Sequence, residues 1–314
     1  VTNFTFASAP DIDGALQARA QPGSAFLAGG TNLVDLWKLG AFPATHLVDL
    51  NALPLRDLSA TPSNLKFGAL VRMSDAASHP DVMKNFPVVS QALLLSASPQ
   101  LRNMASLGGN LLQRPRSLEY RNPDPKRRDG PSRFDAIFGV TPFTAGVHPS
   151  DFAVALLALD ATVRLRGPAG ERVVKLDDFY KLPDEKLNFT TLQPGELITA
   201  IEVANLPFAA RSVYVKIRDR ASFQFAVVSA AVVLETEGPL IKQARVTAGG
   251  VATRPWRLTA VENALQGKPN LEETFQSAVA SIGNGAVTHE QNAFKVELLK
   301  RTVVRALHQV KDLT

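Results

Sequence analysis

Two short segments of this chain share residue types that strongly constrain what it can fold into. "FLAGGTNL" occupies residues 26–33 and "SLGGNLL" residues 106–112. Each combines paired glycines, a hydroxyl and an asparagine with flanking leucines. The first lies between an apolar, strand-like run, "SAFLAGG", and a helix-patterned stretch, "TNLVDLWKLG". In that stretch Leu33, Leu36 and Trp37 share a face and Gly40 supplies a stop. Glycines at a strand-to-helix turn let the backbone approach a ligand closely. The helix start offers free N–H groups and a favourable dipole to a phosphate. Neither segment is GxGxxG or GxxxxGK[ST], so each alone reads equally well as a tight turn. Together they suggest two backbone cradles facing one diphosphate.

The surrounding pattern is α+β. Residues 1–57 read as a small lobe with a helix in "PDIDGALQARA" and strands in "SAFLAGG" and "THLVDL". Residues 58–178 read as a second lobe, helical around "VVSQALLLSAS" and "HPSDFAVALLALDA". Residues 179–205 read as a linker, with a turn and then a strand leading away in "LQPGELITAIEV". Residues 206–314 are β-rich at first, with "RSVYVKIRDR", "AVVSAAVVLE" and "QARVTAGGV" as strands of an antiparallel sheet. They then turn helical, with Phe294, Leu298, Leu299, Val303 and Leu307 at helical spacing. No internal repeat or low-complexity tract is visible.

Composition removes several classes of chemistry. The chain has no cysteine, which excludes disulfides, Cys-ligated zinc or iron–sulfur clusters and a Cys nucleophile. Its five histidines form no HxH or HxxxH pair, which argues against a His-based metal site. No Ser-His-Asp order or paired catalytic carboxylates stand out, so a bound cofactor would carry any chemistry. No apolar run approaches the roughly 18 residues of a membrane helix. The first residues lack the basic start and apolar core of a signal peptide. Residues 114–133 carry seven basic and three acidic residues, most of the net charge of +5. Pro115, Pro123, Pro125 and Pro131 mark this segment as loop. It reads as a solvated loop or as a docking surface for an acidic partner or anionic ligand. Nucleic acid is disfavoured, because no aromatic-interleaved motif accompanies the charge.

Two further segments carry candidate residues. In "HPSD", residues 148–151, Ser150 or Asp151 suits a helix N-cap, and Asp151 also suits ribose hydroxyls. In "KIRDRASFQFA", strand alternation would put Lys216, Arg218 and Arg220 on one face. That face is either solvated or turned to an electron-rich ring or phosphate, with Phe223 or Phe225 as neighbours.

"FLAGGTNLVDLWK", "PQLRNMASLGGNLLQR", "HPSDFAVALLALDA", "KIRDRASFQFAVVSAA" and "GGVATRPWR" occur together and in this order. With them the chain resembles the FAD-binding medium subunits of molybdenum hydroxylases, the xanthine and carbon monoxide dehydrogenase family. Within that family it looks most like the FAD subunit of aldehyde oxidoreductases of the PaoABC type. The resemblance covers nearly the whole chain. It implies a two-lobed FAD domain of the PCMH type, then a C-terminal domain of antiparallel sheet plus helices. It implies noncovalent FAD, with Ala28, Gly29, Gly30, Thr31 and Asn32 cradling the pyrophosphate. Ser106, Gly108, Gly109 and Asn110 would form a second wall, Leu27 and Leu112 would be packing contacts, and Leu33 and Arg102 would also belong to the FAD site. Ser150 and Asp151 would reach the adenosine ribose, and Lys216 and Arg218 would lie towards the isoalloxazine. No residue of this chain would be catalytic and none would bind metal.

The resemblance also implies partners: a large subunit with the molybdenum cofactor and a small subunit with two [2Fe–2S] clusters. This chain would pass their electrons to an external acceptor. In the nearest relatives the segment after "GGNLLQR" is cysteine-rich and binds a [4Fe–4S] cluster. Here Ser117 and Thr144 stand at the first and last of those positions. Hydroxyls do not replace thiolates, so no cluster is expected in this chain. Two alternatives remain beside this function: a self-sufficient PCMH-type flavin oxidoreductase and a non-redox scaffold subunit. The compartment stays open between cytoplasm and a periplasm reached through a partner's signal.

Overall fold

The computed structural model describes residues 3–124 and 126–313; Pro125 of the basic loop lies outside the described residues. Strands β1 (Thr5–Ser8), β2 (Ser24–Leu27) and β3 (His46–Asp49) form a parallel sheet with β3 in the middle. Parallel neighbours need crossovers. These are α1 (Ile12–Arg19), capped by the Asp11 carboxylate on the Gly14 amide at 2.7 Å, and α2 (Leu33–Lys38). Residues 28–32 therefore form a turn at the carboxyl end of β2, which is where parallel sheets present ligand-binding loops.

The second unit is an antiparallel sheet of β4 (Leu58–Ala60), β5 (Leu65–Gly68), β6 (Thr162–Gly167), β7 (Gly170–Lys175) and β8 (Leu197–Val203). The spatial order is β4-β5-β8-β6-β7. Strand β8 comes from the segment expected as a linker, yet it pairs on both sides, with β5 and β6. Its sequence, "LITAIEV", is almost continuously apolar and buried, which suits a central strand. Between β5 and β6 the chain winds through α3 (Met73–Ser78), α4 (Pro80–Asn85), α5 (Pro87–Leu94), α6 (Pro99–Met104), α7 (Leu107–Leu111), α8 (Leu118–Arg121) and α9 (Asp151–Ala158). Three of these helices begin on proline, whose missing N–H costs nothing at that position. Helix α9 is buried along its whole length. Helix α10 (Leu176–Phe179) follows β7.

The third unit is an antiparallel sheet of β9 (Ser212–Ile217), β10 (Val228–Glu237), β11 (Leu240–Gly249) and β12 (Trp256–Arg257), in the order β12-β11-β10-β9. Helices α11 (Thr259–Leu265), α12 (Glu272–Ala278) and α13 (Phe294–Lys311) complete it. Side chains of β10 alternate between two cores. Val228, Ala230, Val232 and Leu234 pack with α13, while Ala231 and Val233 join the core of the second unit. Burial on both faces explains why "AVVSAAVVLE" is nearly unbroken in its apolarity. On α13, Leu299, Val303 and Leu307 are buried as their spacing predicts. Phe294 is instead exposed, and Lys295 is buried in the helix's first turn. Its ammonium donates to the carbonyls of Phe134, Asp135 and Gly250 at 3.0, 2.8 and 2.8 Å, so no proton is left without a partner.

Helix α9 is gripped at both ends by the third unit. At its start Asp151 accepts from Lys216 at 2.7 Å and from Tyr214 at 2.6 Å. Just past its end Asp160 pairs with Arg245 and Arg257. The α+β class and the C-terminal antiparallel sheet are those expected from the sequence.

Candidate functional site

A cleft of about 1380 Å³ is lined by residues from all three units. That exceeds the roughly 300–1,000 Å³ usual for small-ligand pockets and suits an extended ligand. The turn at residues 28–32 forms part of its wall. Gly30 takes φ of +72°, which favours glycine. At Gly29 a Cβ would lie 1.9 Å from the carbonyl oxygen of Met104, so the turn presses directly on the chain entering the second glycine segment. Asn51 fixes the arrangement by donating to the Ala28 carbonyl at 3.0 Å and to Asp49 at 2.6 Å. Arg72 donates to Asn51 Oδ1 at 2.9 Å and to the Met104 carbonyl, joining both segments. Neither Asn51 nor Arg72 belongs to a motif, and no local pattern marks them.

The first turn keeps its donors open. Among the described residues, no protein group accepts a hydrogen bond from the amides of Gly29, Gly30, Thr31 or Asn32. Asn32 Oδ1 is also buried without a partner. Polar groups left in this state call for a ligand or water, and a row of amides at a helix start suits an anion. FAD fits this turn through its diphosphate.

The second segment behaves differently from the expected second cradle. Its amides are already committed: Leu107 to the Val71 carbonyl at 3.0 Å, Gly108 to Ala69 at 2.9 Å, and Asn110 to Ser106 at 2.9 Å. The Gly109 amide donates to Ser106 Oγ at 3.3 Å, because Ser106 is the N-cap of α7. The segment thus lines the cleft as a wall, and the open amides belong to the first turn. Glycine is needed at 108 because a Cβ would lie 2.9 Å from that of Ala69.

Of the residues expected at the site, Ala28, Gly29, Gly30, Thr31, Asn32, Leu33, Ser106, Gly108, Gly109, Asn110, Leu112 and Asp151 line the cleft. Leu27, Arg102, Ser150, Lys216 and Arg218 are absent from its lining. Leu27 packs beneath the turn. Arg102 donates to the Ser96 carbonyl at 2.7 Å, supporting a stretch that lines the cleft. Ser150 caps α9, accepting from the Ala153 amide at 3.0 Å, and donates to Asn110 Oδ1 at 2.5 Å. Lys216 and Arg218 both donate to the Leu95 carbonyl at 3.1 Å. Arg218 and Arg220 both lie beyond the end of β9, so of the three cations expected to share a strand face only Lys216 is on the strand. Asp151 accepts from Ser96 at 2.9 Å as well as from Lys216 and Tyr214. Burial, reinforced by that carboxylate, pushes the Tyr214 phenol well above its ordinary pKa.

The basic segment splits into parts. Arg114, Arg116 and Arg121 fold into the cleft wall, the last two around Asp35 of α2. Asp35 pairs with Arg116 at 3.1 Å and with Arg121 at 2.6 Å. Burial opposes its charge, but the two guanidiniums outweigh that and hold its carboxyl below the usual range. The charge run marked this region in the sequence without showing which cations fold inwards. Phe223 and Phe225 also line the cleft, beside Arg220. Ser117 and Thr144 converge on Gly146, whose Cβ would lie 2.4 and 3.0 Å from their hydroxyl oxygens. Thr144 donates to the buried carboxylate of Glu119 and accepts from the Gly146 amide at 2.7 Å.

Residues 2–206 match the family described as the FAD binding domain in molybdopterin dehydrogenase, and residues 213–310 match the CO dehydrogenase flavoprotein C-terminal domain. The aldehyde oxidoreductase FAD-binding subunit PaoB of Escherichia coli is 40% identical over 313 residues, covering 95% of each chain. The glyceraldehyde dehydrogenase medium chain of Sulfolobus acidocaldarius is 30% identical, covering 90% of this chain and 89% of the relative. A structure of reconstituted CO dehydrogenase from Oligotropha carboxidovorans superposes with a TM-score of 0.80 at 22% identity, covering 100% of this chain and 99% of that one. At that identity the likeness speaks for the fold.

Proposed function

The chain belongs to the family of FAD-binding domains of molybdopterin dehydrogenases, and from that premise we propose that it is the electron-transferring flavoprotein subunit of a molybdenum-dependent aldehyde oxidoreductase. In this reading it receives electrons from an iron–sulfur partner and passes them to an external acceptor. The names of the Escherichia coli and Sulfolobus relatives, both aldehyde-oxidising, support the substrate class. The observation that carries the reading is the row of open amides at residues 29–32, facing a cleft large enough for an extended dinucleotide.

The amides of residues 29–32 hold the diphosphate, with the Thr31 hydroxyl and Asn32 side chain beside them. Ser106, Gly108, Gly109 and Asn110 wall the opposite side, and Leu33 and Leu112 exclude water. Asp151, filled by three donors, fixes the start of α9 rather than reaching a ribose. Lys216 and Arg218 act behind the wall by holding Asp151 and the Leu95 carbonyl. When bound, FAD supplies reversible acceptance of one or two electrons. The chain's own task is to bind and orient it, which needs no acid or base.

The test is an absorption spectrum of the purified chain before and after denaturation, with iron analysis. Near-stoichiometric flavin released on denaturation, without iron, is expected. A colourless protein that takes up no added FAD would refute the proposal. In Gly29→Ala the new methyl meets the Met104 carbonyl. Overpacking of this kind costs about 1–3 kcal/mol, so retained FAD should weaken by about tenfold or more, measured as flavin per protein after gel filtration.

A further inference from the structure

Beside the mouth of the cleft, exposed aromatic rings form a row threaded with arginines. Phe134, Phe223, Phe225 and Phe294 are 48, 55, 41 and 40% exposed. Single exposed apolar residues are ordinary, but a joined set marks an interaction site. Direct contacts join these four. The Arg133 guanidinium lies over both Phe134 and Phe294, at 5.4 and 5.6 Å from the ring centres, and pairs with Asp219 at 3.1 Å. Asp219 opens the loop of residues 219–225, which Gln224 closes by accepting from the amides of Asp219 and Arg220 at 2.8 and 3.1 Å. Arg220 lies over Phe223 and donates to its carbonyl. Arg116 lies over Phe225 at 4.9 Å and pairs with Asp35.

The band therefore runs from the start of α13, across the loop of residues 219–225, to α2. Phe223 holds φ of +53°, a region that bulky residues rarely adopt. Strain kept at an exposed aromatic residue points to a role for its outward side chain. The charge is positive on balance: among the described residues, Arg116, Arg133 and Arg220 of the band meet Asp35 and Asp219. Exposed phenylalanine and arginine together are the composition of protein–protein interfaces. Part of the band, at Arg116, Arg220, Phe223 and Phe225, also lines the cleft, whereas Arg133, Phe134 and Phe294 extend beyond it. A small ligand held in the cleft has no use for that extension, but a protein seated across the mouth does.

We infer that this band docks the electron-delivering partner subunit, through an acidic rim around an apolar centre on that partner. The inference rests on the function proposed above. Net positive charge on the band selects an acidic face and speeds its encounter. Continuity with the cleft mouth brings that partner against the cofactor site.

The experiment uses the whole complex, with this chain co-expressed with its iron–sulfur and molybdenum subunits. Arg133→Glu and Phe294→Ser alter the band outside the cleft lining. Each should leave flavin per protein and the thermal midpoint of the chain unchanged. Each should weaken association with the iron–sulfur subunit by about tenfold or more, read by native mass spectrometry and by assembly at rising salt. Flavin reduction by aldehyde should slow in proportion, and Arg133→Lys should recover part of the assembly. Wild-type assembly in both variants would overturn the inference. So would loss of FAD, which would assign the band to the cofactor site, or loss of acceptor turnover alone, which would assign it to the acceptor. If the wild-type complex assembles but aldehyde leaves its flavin oxidised, the proposed function fails, and the assembly data still decide the surface.

Discussion

His148 lies buried, its ring 4.7 Å from that of Tyr180 and 6.0 Å from that of Phe189. Nδ1 accepts from the Ser150 amide at 3.4 Å, so the neutral ring carries its proton on Nε2, which has no partner. Burial pushes the pKa down to about 3. An unfolded histidine titrates near 6.5, at about that pH. Between the two values the unfolded chain binds one more proton than the folded one, so stability falls as pH falls. The slope for one such group is about 1.4 kcal/mol per pH unit. Going from pH 7 to pH 5, the wild type should therefore lose about 2 kcal/mol more than His148→Asn, measured by urea unfolding at each pH. Equal losses would mean that the imidazole is not held neutral. The neighbouring cap was legible in the sequence, because a serine before an apolar run is a local signal that Ser150 fulfils. The satisfaction of Asp151 was not legible, since Tyr214 and Lys216 lie 63 and 65 residues away in the chain.

At the scale of elements, α9 is held at its two ends by ion pairs of different character. The Lys216–Asp151 pair is nearly sealed, with side chains 1 and 6% exposed, whereas Asp160 remains 45% exposed beside Arg245 and Arg257. Removing one partner of a buried pair strands the other charge, at a cost of about 3–5 kcal/mol. Exposed pairs are worth about 1 kcal/mol or less. Lys216→Met should therefore destabilise the protein several-fold more than Asp160→Ala in chemical denaturation. Similar costs would show that burial does not separate the two ends of the helix. Strand β8 makes a related point about legibility. Its strand was visible in the apolar run, but periodicity carries no information on pairing, and partners as distant in sequence as β5 and β6 place a strand expected within a linker in the middle of a sheet.

Across the whole molecule, the cleft and the main core both depend on all the sequence-distant parts coming together. The core of the second unit includes Tyr214, Ala231 and Val233 from the C-terminal sheet, and Arg220, Phe223 and Phe225 line the cleft from the same unit. Local signals revealed the glycine turns, because a turn's chemistry is written in neighbouring residues. The difference between an open turn at residues 29–32 and a committed one at 107–110 depends on Ala69 and Val71, which no spacing rule reaches. A ligand spanning this cleft should stabilise the three units as one. With free FAD at about a hundredfold over its dissociation constant, mass action adds about 2.7 kcal/mol. For a chain of this size that raises the thermal midpoint by about 4 °C. Because the units share a core, calorimetry of FAD-free and FAD-loaded protein should each give one transition, shifted as a whole. Two transitions, with only the earlier one moved by FAD, would mean that the C-terminal sheet folds apart from the cleft it helps to line.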